Sequence, residues 1–366
     1  MSENTTASRT EGEGTAASED WREHLPGLRE YVAGRAAATD RGETDLRDTL
    51  RHLGERNLLG LDSAAGSTGV SDVAEVIELI ATECLSSAFS FWAHRMVIEY
   101  LRGAARGSVL GRLRDGLVAG VEVGSTAMAA ALQEAAGMRT VPIVATPTGN
   151  GFLLDGPIRW ASNLVPGACV VLPARIGDTE DRVVVVVRTD DPGVSVAPPQ
   201  RLLALDATAS SSVALSGVRA DAEHVVTDDL RAFVRRARPV LLLLQTAFCV
   251  GLASRALDEA RSAVTGEGSV LAPDVEDLTA RLADVGERAR DAQRAPALAD
   301  PRAVTRLRFD AAALTLAATR LEATARGGLG YVTSSPTNRR LREAAFLPAQ
   351  SPSEIQLRWE LSRPPG

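Results

Sequence analysis

Lysine is missing from this chain of 366 residues, and aromatic residues, cysteines and long apolar runs are scarce. All 40 basic residues other than histidine are arginines, scattered among acidic residues and alanine, and the net charge is −7. No basic block therefore marks a nucleic-acid-binding surface. The three cysteines, Cys84, Cys169 and Cys249, lie far apart within apolar segments. This spacing argues against a disulfide framework or a metal site and predicts buried thiols in a reducing compartment.

No segment is long and apolar enough to predict a membrane span. The longest charge-free apolar segment, 239–254, is shorter than the ~20 residues that a bilayer requires, and Gln245 and Thr246 interrupt it. We expect it to be a buried core helix. Residues 1–20 lack an apolar signal core and consist mostly of Ser, Thr, Glu, Gly and Ala. They are predicted to be disordered, and the protein is predicted to be cytoplasmic.

Hydrophobic periodicity divides the rest of the chain into three parts. Residues 21–117 are predicted to form an N-terminal helical domain, and one of its helices should have Ser71 or Asp72 as its N-cap. Residues 118–228 contain β-branched runs separated by Pro and Gly turns, which predicts a β domain. Residues 229–366 return to helical spacing and are expected to form a C-terminal helical domain.

Residues 149–163, GNGFLLDGPIRWASN, predict a compact β unit with a polar end. A glycine turn precedes the apolar strand Phe152–Leu154, and a second turn is expected at Asp155–Pro157. In the strand that follows, a period of two places Trp160 and Ser162 on one face. An indole and a hydroxyl in this arrangement suit a flat heteroaromatic ligand. The alternative is a tryptophan in the β core beside a surface serine.

Residues 86–102 are the most aromatic segment of a chain that is only 4% aromatic. This predicted helix carries Trp92 and His94, which are candidates for the wall of a substrate pocket. For His94 the alternative is a hydrogen bond to a backbone carbonyl at a domain boundary.

A cluster of glycines follows a long predicted helix that begins with Asp300 as N-cap and Pro301 in its first turn. Gly327, Gly328 and Gly330 lack a Cβ, so their exposed N–H groups allow the phosphates or adenine of a dinucleotide to approach closely. The alternative is an ordinary glycine-rich end of a helix.

In this order along the chain, these segments resemble the acyl-CoA dehydrogenase family. The W-x-[ST]-N pattern at 160–163 resembles a flavin-lining strand of the family's middle domain. Residues 250–260 resemble the first helix of its C-terminal domain, and 327–331 resemble its G-G-x-G-[YF] loop. Glu122, Gly124 and Ser125 match, with a shortened spacing, part of a family loop that contacts flavin and substrate.

The resemblance implies an α+β fold with an N-terminal helical domain, a middle antiparallel β domain and a C-terminal domain of the four-helix-bundle type. It also implies FAD as cofactor, and it makes Ser125 a candidate for the substrate pocket. The residues that it implies for cofactor binding are Trp160, Ser162, Asn163, Gly327, Gly328 and Gly330.

The sequence departs from the family at the catalytic base. Desaturation of an acyl thioester requires a carboxylate that removes the α-proton. The family's usual glutamate position falls here on Gln350 or Ser351, and neither is a base at neutral pH. Candidate replacements are Glu354 and Glu99. For Glu354 the alternative is a first-turn acid that interacts favourably with the dipole of a final helix.

The resemblance predicts an FAD-dependent oxidoreductase that acts on an acyl thioester, bound to CoA or to a carrier, or on a related small molecule. One alternative is a flavin-dependent monooxygenase that hydroxylates carbon or nitrogen on the same fold. Another is a redox-inactive ligand-binding protein or partner subunit. The resemblance also implies a homodimer or homotetramer, together with an electron-transfer partner or a flavin reductase.

Overall fold

The computed structural model describes residues 20–63 and 67–364. Except for Asp20, the predicted disordered segment 1–20 lies outside these residues. The N-terminal part is helical and comprises α1 (Leu25–Asp40), α2 (Leu46–Gly54), α3 (Ser71–Glu83), α4 (Leu85–Tyr100) and α5 (Val109–Val118). Every residue of α4 is buried, because this helix packs against α3, α5, the sheet and the C-terminal helices.

Helix α3 begins at Ser71, at least one residue earlier than the predicted N-cap at Ser71 or Asp72 implies, and its cap comes from elsewhere. Neither Ser71 nor Asp72 caps it, since the N-cap position is occupied by Val70, which makes no side-chain hydrogen bond. Instead, the carboxylate of Asp62 accepts hydrogen bonds from the backbone N–H groups of Asp72 (2.9 Å) and Val73 (3.0 Å). The preceding loop thus satisfies two of the free N–H donors of the first turn.

The middle of the chain forms one sheet with strand order β6-β7-β3-β2-β4-β5-β8, and β1 pairs with β4. The pairings are antiparallel except β1–β4 and β2–β4, which are parallel, so the predicted β domain is present with a mixed sheet. Helix α6 (Ala129–Ala135) follows β1. The strands are β1 (Gly124–Thr126), β2 (Val144–Thr148), β3 (Gly151–Ala161), β4 (Cys169–Ile176), β5 (Arg182–Arg188), β6 (Val194–Val196), β7 (Ser211–Asp221) and β8 (Val225–Thr227).

Strand β3 corrects one prediction. The turn expected at Asp155–Pro157 is a bulge within a continuous strand, where the pairing of β3 with β7 shifts between Leu154 and Gly156. Gly156 has φ 134°, which favours glycine, and a Cβ there would lie 3.0 Å from the carbonyl oxygen of Pro142. The carboxylate of Asp155 accepts a hydrogen bond from the N–H of Gly217 on β7 at 2.9 Å. Tertiary pairing thus keeps the chain extended through a turn-like sequence.

The C-terminal part is again helical, with α7 (Leu230–Ala263), α8 (Ala272–Arg294), α9 (Pro301–Arg326), α10 (Gly328–Tyr331), α11 (Pro336–Ala344) and α12 (Glu354–Ser362). Asp300 caps α9 as predicted, accepting hydrogen bonds from the N–H groups of Arg302 and Ala303. The order of helices, sheet and helices confirms the predicted fold class. The exact domain boundaries remain predictions.

The apolar segment 239–254 is part of the longer helix α7, so the prediction that no segment is long enough to span a membrane is wrong by length and composition alone. In the structure, however, 89% of its most apolar window is buried within the protein. The run from Val240 to Ala253 is buried without interruption, as expected for a core helix. The thiols of Cys84, Cys169 and Cys249 are likewise buried and form no disulfide.

Candidate functional site

A cavity of about 620 Å³ lies between the sheet and the helices on either side of it in the chain. This volume falls within the range of ligand sites in proteins. The sheet contributes the end of β3 and the segment after β1, while α4, α7 and the segment after α11 form the helical wall. Its apolar and aromatic lining includes Phe89, Trp92, Ala127, Met128, Ile143, Ile158, Trp160, Leu241 and Phe346.

Trp160 and Ser162 both line this cavity, but so does every other residue from 157 to 161, so the lining does not distinguish the two faces that the strand period predicts. The pairing of β3 with β7 shifts again between Ile158 and Ala161, and Trp160 retains 53% of its surface exposed. The indole is therefore available to a ligand and is not part of the β core. The hydroxyl of Ser162 shares a 2.6 Å hydrogen bond with that of Ser210, which is linked in turn to Thr208 at 2.7 Å.

The helical wall presents aromatic rings. Phe89 stacks on Trp92 with ring centroids 5.3 Å apart and meets Phe346 edge-on at 5.1 Å. The indole N–H of Trp92 donates to the carbonyl of Leu241 at 3.4 Å. Because its polar atom already has a partner, Trp92 contributes mainly apolar surface to the cavity.

His94 lies behind the wall and does not line the cavity. Its ring is fully buried; Nε2 lies 2.9 Å from the carbonyl oxygen of Leu117, and Nδ1 accepts the N–H of Gly124 at 3.1 Å. These partners fix the neutral ring with its proton on Nε2. Burial, reinforced by the charge of Arg95, lowers the pKa of His94 to about 4. His94 therefore bonds to backbone groups where α4 meets α5 and β1. This is the alternative to a role in the substrate pocket.

Ser125 and Asn163 support the wall from behind. The Ser125 side chain is fully buried and donates to the carbonyl of Ser162 at 2.6 Å. Asn163 is also fully buried, and its Nδ2 donates to the carbonyls of Ser90 (2.8 Å) and Gly124 (3.0 Å). Neither residue lines the cavity. These contacts join the end of β3 to α4 and β1, and so hold the ligand-facing strand in place.

The three glycines after α9 do not line the cavity of a single chain. Gly327 has φ 55°, a conformation that favours glycine, and a Cβ on Gly330 would lie 2.7 Å from the carbonyl oxygen of Ala323. The fold itself therefore accounts for these two glycines. Gly328 differs, because a Cβ there would meet no atom of the described residues within 4 Å and its φ is not in the left-handed region.

Among the described residues, no Asp, Glu or His lines the cavity. Glu354 lies at the start of α12 and pairs with Arg358 at 2.7 Å. Glu99 is buried against Arg95 and Arg102. The cavity wall therefore offers no carboxylate that would serve as a base. Gln350 and Ser351, at the family's base position, do line it.

Sequence reasoning missed the positive charge around the cavity. Its charged lining residues are Arg139, Arg159 and Arg342. Arg342 is paired with Asp40, whereas Arg139 and Arg159 are exposed and form no ion pair within the described chain. The sequence signal for this positive charge was that Arg159 directly precedes Trp160, the aromatic residue predicted to face the ligand. A ligand carrying phosphate or carboxylate groups would complement this charge.

The curated comparison gives one distant relative, and no protein-family model matches the chain. Benzylmalonyl-CoA dehydrogenase of Aromatoleum aromaticum is 23% identical over 236 residues, which cover 62% of this chain and 62% of that protein. The match therefore spans less than two thirds of the relative's length.

Solved structures match over nearly the whole chain. A glutaryl-CoA dehydrogenase from Mycobacterium smegmatis in complex with FADH2 superposes with a TM-score of 0.81, at 14% identity and 94% coverage of each chain. KijD3, in complex with FMN and dTDP-3-amino-2,3,6-trideoxy-4-keto-3-methyl-D-glucose, gives 0.74 at 21% identity, covering 95% of this chain and 94% of that one. At these identities the likeness shows a shared fold, which agrees with the resemblance found in the sequence.

Proposed function

We propose, from the premise that this chain has the acyl-CoA dehydrogenase fold, that it is an FAD-dependent oxidoreductase acting on an acyl thioester of CoA or a carrier. One observation carries the flavin part of this proposal. Trp160 presents a largely exposed indole, beside the Ser162 hydroxyl, to a cavity that the protein's own side chains leave open. Such a wall suits a flat ring that stacks and accepts a hydrogen bond.

The residues present fit a flavin ring. Stacking on Trp160, a hydrogen bond from Ser162 and the apolar surface of Trp92 and Phe346 would hold and shield it. Bound FAD would supply two-electron redox chemistry that no protein side chain provides. Arg159 and Arg139 offer positive charge for phosphate groups of the cofactor or of CoA.

The glycine loop supports an assembly of at least two copies. Gly328 lies outside the cavity of its own chain, and the neighbouring Leu329 and Tyr331 expose 65% and 88% of their surfaces. We propose a homodimer or homotetramer in which this loop contacts the cofactor of another copy. A separate electron-transfer protein or flavin reductase would complete the redox cycle, and the expected compartment is the cytoplasm.

A second reaction is favoured by the absence of a carboxylate from the described cavity wall. Dehydrogenation at the α and β carbons needs a base at the α-carbon. A flavin-dependent monooxygenase, which takes its reactive oxygen from O₂, does not need that carboxylate. Flavin monooxygenation of carbon or nitrogen is therefore the alternative function.

Flavin titration of Trp160→Ala tests the cofactor proposal. Loss of the stacking surface should weaken FAD binding about tenfold or more, by the usual energy of an aromatic contact. Trp359→Ala is the matched control, because Trp359 lies on α12 outside the cavity and is 42% exposed. Both variants should keep the wild-type circular dichroism spectrum.

The outcomes separate the candidate functions. A wild-type protein that takes up no FAD would overturn the flavoenzyme proposal in favour of a redox-inactive binding protein. If FAD binds, acyl-CoA oxidation with an artificial electron acceptor supports the dehydrogenase. Substrate-dependent O₂ consumption by the chemically reduced protein, with oxygen incorporated into product, supports the monooxygenase instead.

A further inference from the structure

The outer side of the last helix carries exposed apolar side chains beside an arginine. Ile355 and Trp359, four positions apart on α12, lie on one side of the helix and expose 74% and 42% of their surfaces. The guanidinium of Arg363 lies over the Trp359 ring, 4.4 Å from its centroid. Helix α12 therefore presents an apolar and basic stripe that the described chain leaves uncovered. The buried residues of the helix are Gln356, Leu357 and Leu361.

Two more arginines adjoin this stripe. Arg302, at the start of α9, donates to the backbone carbonyls of Leu361 (2.6 Å) and Arg363 (2.7 Å). Arg139 comes two positions after Gly137, where a Cβ would lie 3.5 Å from Nη1 of Arg363. The three arginines thus gather at the end of α12. We call this surface the α12 face, and its residues are Arg139, Arg302, Ile355, Trp359 and Arg363.

The α12 face has an excess of positive charge. Its three arginines are exposed, and in the described part of the chain no carboxylate lies within salt-bridge distance of them. Asp300 is used to cap α9. The other nearby carboxylates have arginine partners elsewhere, in the pairs Glu134–Arg182, Glu354–Arg358 and Glu360–Arg238. In a chain with a net charge of −7, this local excess favours an acidic partner.

Helix α6 separates the α12 face from the cavity. Leu132 of α6 lines the cavity, and its backbone carbonyl accepts a hydrogen bond from Gln356 of α12 at 3.0 Å. Just after α6, the carbonyl of Ala136 accepts the indole N–H of Trp359 at 3.2 Å. Arg139 is exposed on the face and also lines the cavity. A flexible arm attached to a partner on this face therefore has to pass about 10 Å, the diameter of one helix, to reach the cavity.

We propose that the α12 face docks an acidic acyl carrier protein, whose thioester-bearing arm enters the cavity past Arg139. This inference rests on the proposed function and selects a carrier protein over CoA as the group that bears the thioester. Acidic side chains of the carrier pair with the arginines, while its apolar side chains cover Ile355 and Trp359. A second copy of this chain fits less well, because a twofold contact would bring the arginines of both copies together.

The same acyl group on two bearers tests the proposal. Flavin-loaded protein is titrated by calorimetry with butyryl-CoA and with an acidic acyl carrier protein that bears the butyryl thioester. We expect the butyryl carrier to bind about tenfold or more tightly than butyryl-CoA, because only the carrier contacts the α12 face. This advantage should shrink as the salt concentration rises, since salt screens charges at the surface.

Arg363→Gln and Arg363→Glu remove and then reverse one charge of the α12 face. Binding of the butyryl carrier should fall about threefold in the first variant and about tenfold or more in the second, while butyryl-CoA binding stays within about twofold. Trp359→Ala should also weaken the carrier alone, through the loss of apolar contact. Arg320→Glu is the matched control, because Arg320 is exposed on the same helix as Arg302 but about five turns, or about 27 Å, further along it. It should change neither affinity.

The titrations separate failure of the docking from failure of the proposed function. A wild type that binds butyryl-CoA as tightly as the butyryl carrier would refute the docking while leaving the thioester substrate intact. A flavin-loaded wild type that binds neither would refute the thioester part of the proposed function and the docking with it. If the carrier preference survives both Arg363→Glu and Trp359→Ala, the carrier binds elsewhere and the assignment of the α12 face is wrong.

Two measurements test other occupants of the α12 face. In analytical ultracentrifugation, wild type and Arg363→Glu should have the same oligomeric state; an oligomer that dissociates in the variant would make the face a contact between copies of this chain. The wild type should not sediment with vesicles of phosphatidylglycerol and phosphatidylcholine. Sedimentation that Arg363→Glu abolishes would make the face a membrane-binding surface, and either result would overturn the proposal.

Discussion

Replacing the buried imidazole of His94 by an amide should remove a pH-dependent part of the protein's stability. His94 donates from Nε2 to the Leu117 carbonyl and accepts the Gly124 N–H at Nδ1, so a second proton on the ring would face a donor. Burial, the largest cause, and the charge of Arg95 together lower its pKa from 6.5 to about 4. In the unfolded chain the ring binds a proton near its ordinary pKa.

The sign and size of the effect follow from these two values. A depressed pKa means that the unfolded state binds more protons between pH 6.5 and about pH 4, so stability is complete above 6.5 and falls as pH decreases through this window. At about 1.4 kcal/mol per pKa unit, acidification to about pH 5 should cost the wild type about 2 kcal/mol through His94 alone.

Urea unfolding at about pH 7.5 and about pH 5 measures this difference. His94→Gln should be less stable at both pH values, because the amide replaces only one of the two hydrogen bonds. Its loss between the two pH values should nevertheless be about 2 kcal/mol smaller than that of the wild type. His24→Gln, at a half-buried histidine in the first turn of the described chain, controls for the loss of any imidazole. Equal losses in wild type and His94→Gln would refute the reasoning.

Two further substitutions test individual positions. Glu354→Gln should leave acyl-thioester oxidation unchanged and shift stability by less than about 1 kcal/mol, because the carboxylate pairs with Arg358 at the surface and not at the cavity; loss of turnover would return Glu354 to the role of base. Gly328→Ala should keep the melting temperature, since a Cβ at Gly328 meets no atom of the described residues within 4 Å, and should weaken FAD retention if the loop contacts the cofactor of another copy. Unchanged retention would make the loop only a helix end.

Local sequence determined the elements that depend on neighbouring residues. Asp300 capped α9 as predicted, because a helix cap requires only a few adjacent positions. The glycine turn before β3 also formed as predicted, in the two-residue connection between β2 and β3. The resemblance to a known family then ordered these segments into helices, sheet and helices.

Tertiary structure decided which partners the polar groups around the cavity find. The pairing of β3 with β7 turned the expected Asp155–Pro157 turn into a bulge, and the close approach of α4 to α5 and β1 gave His94 its backbone partners. Arg308 and Gln350 are separated by 42 positions, so only the packing of α9 against the following segment brings them together. Periodicity reports which face of an element is buried, but not which distant donor or acceptor will satisfy it.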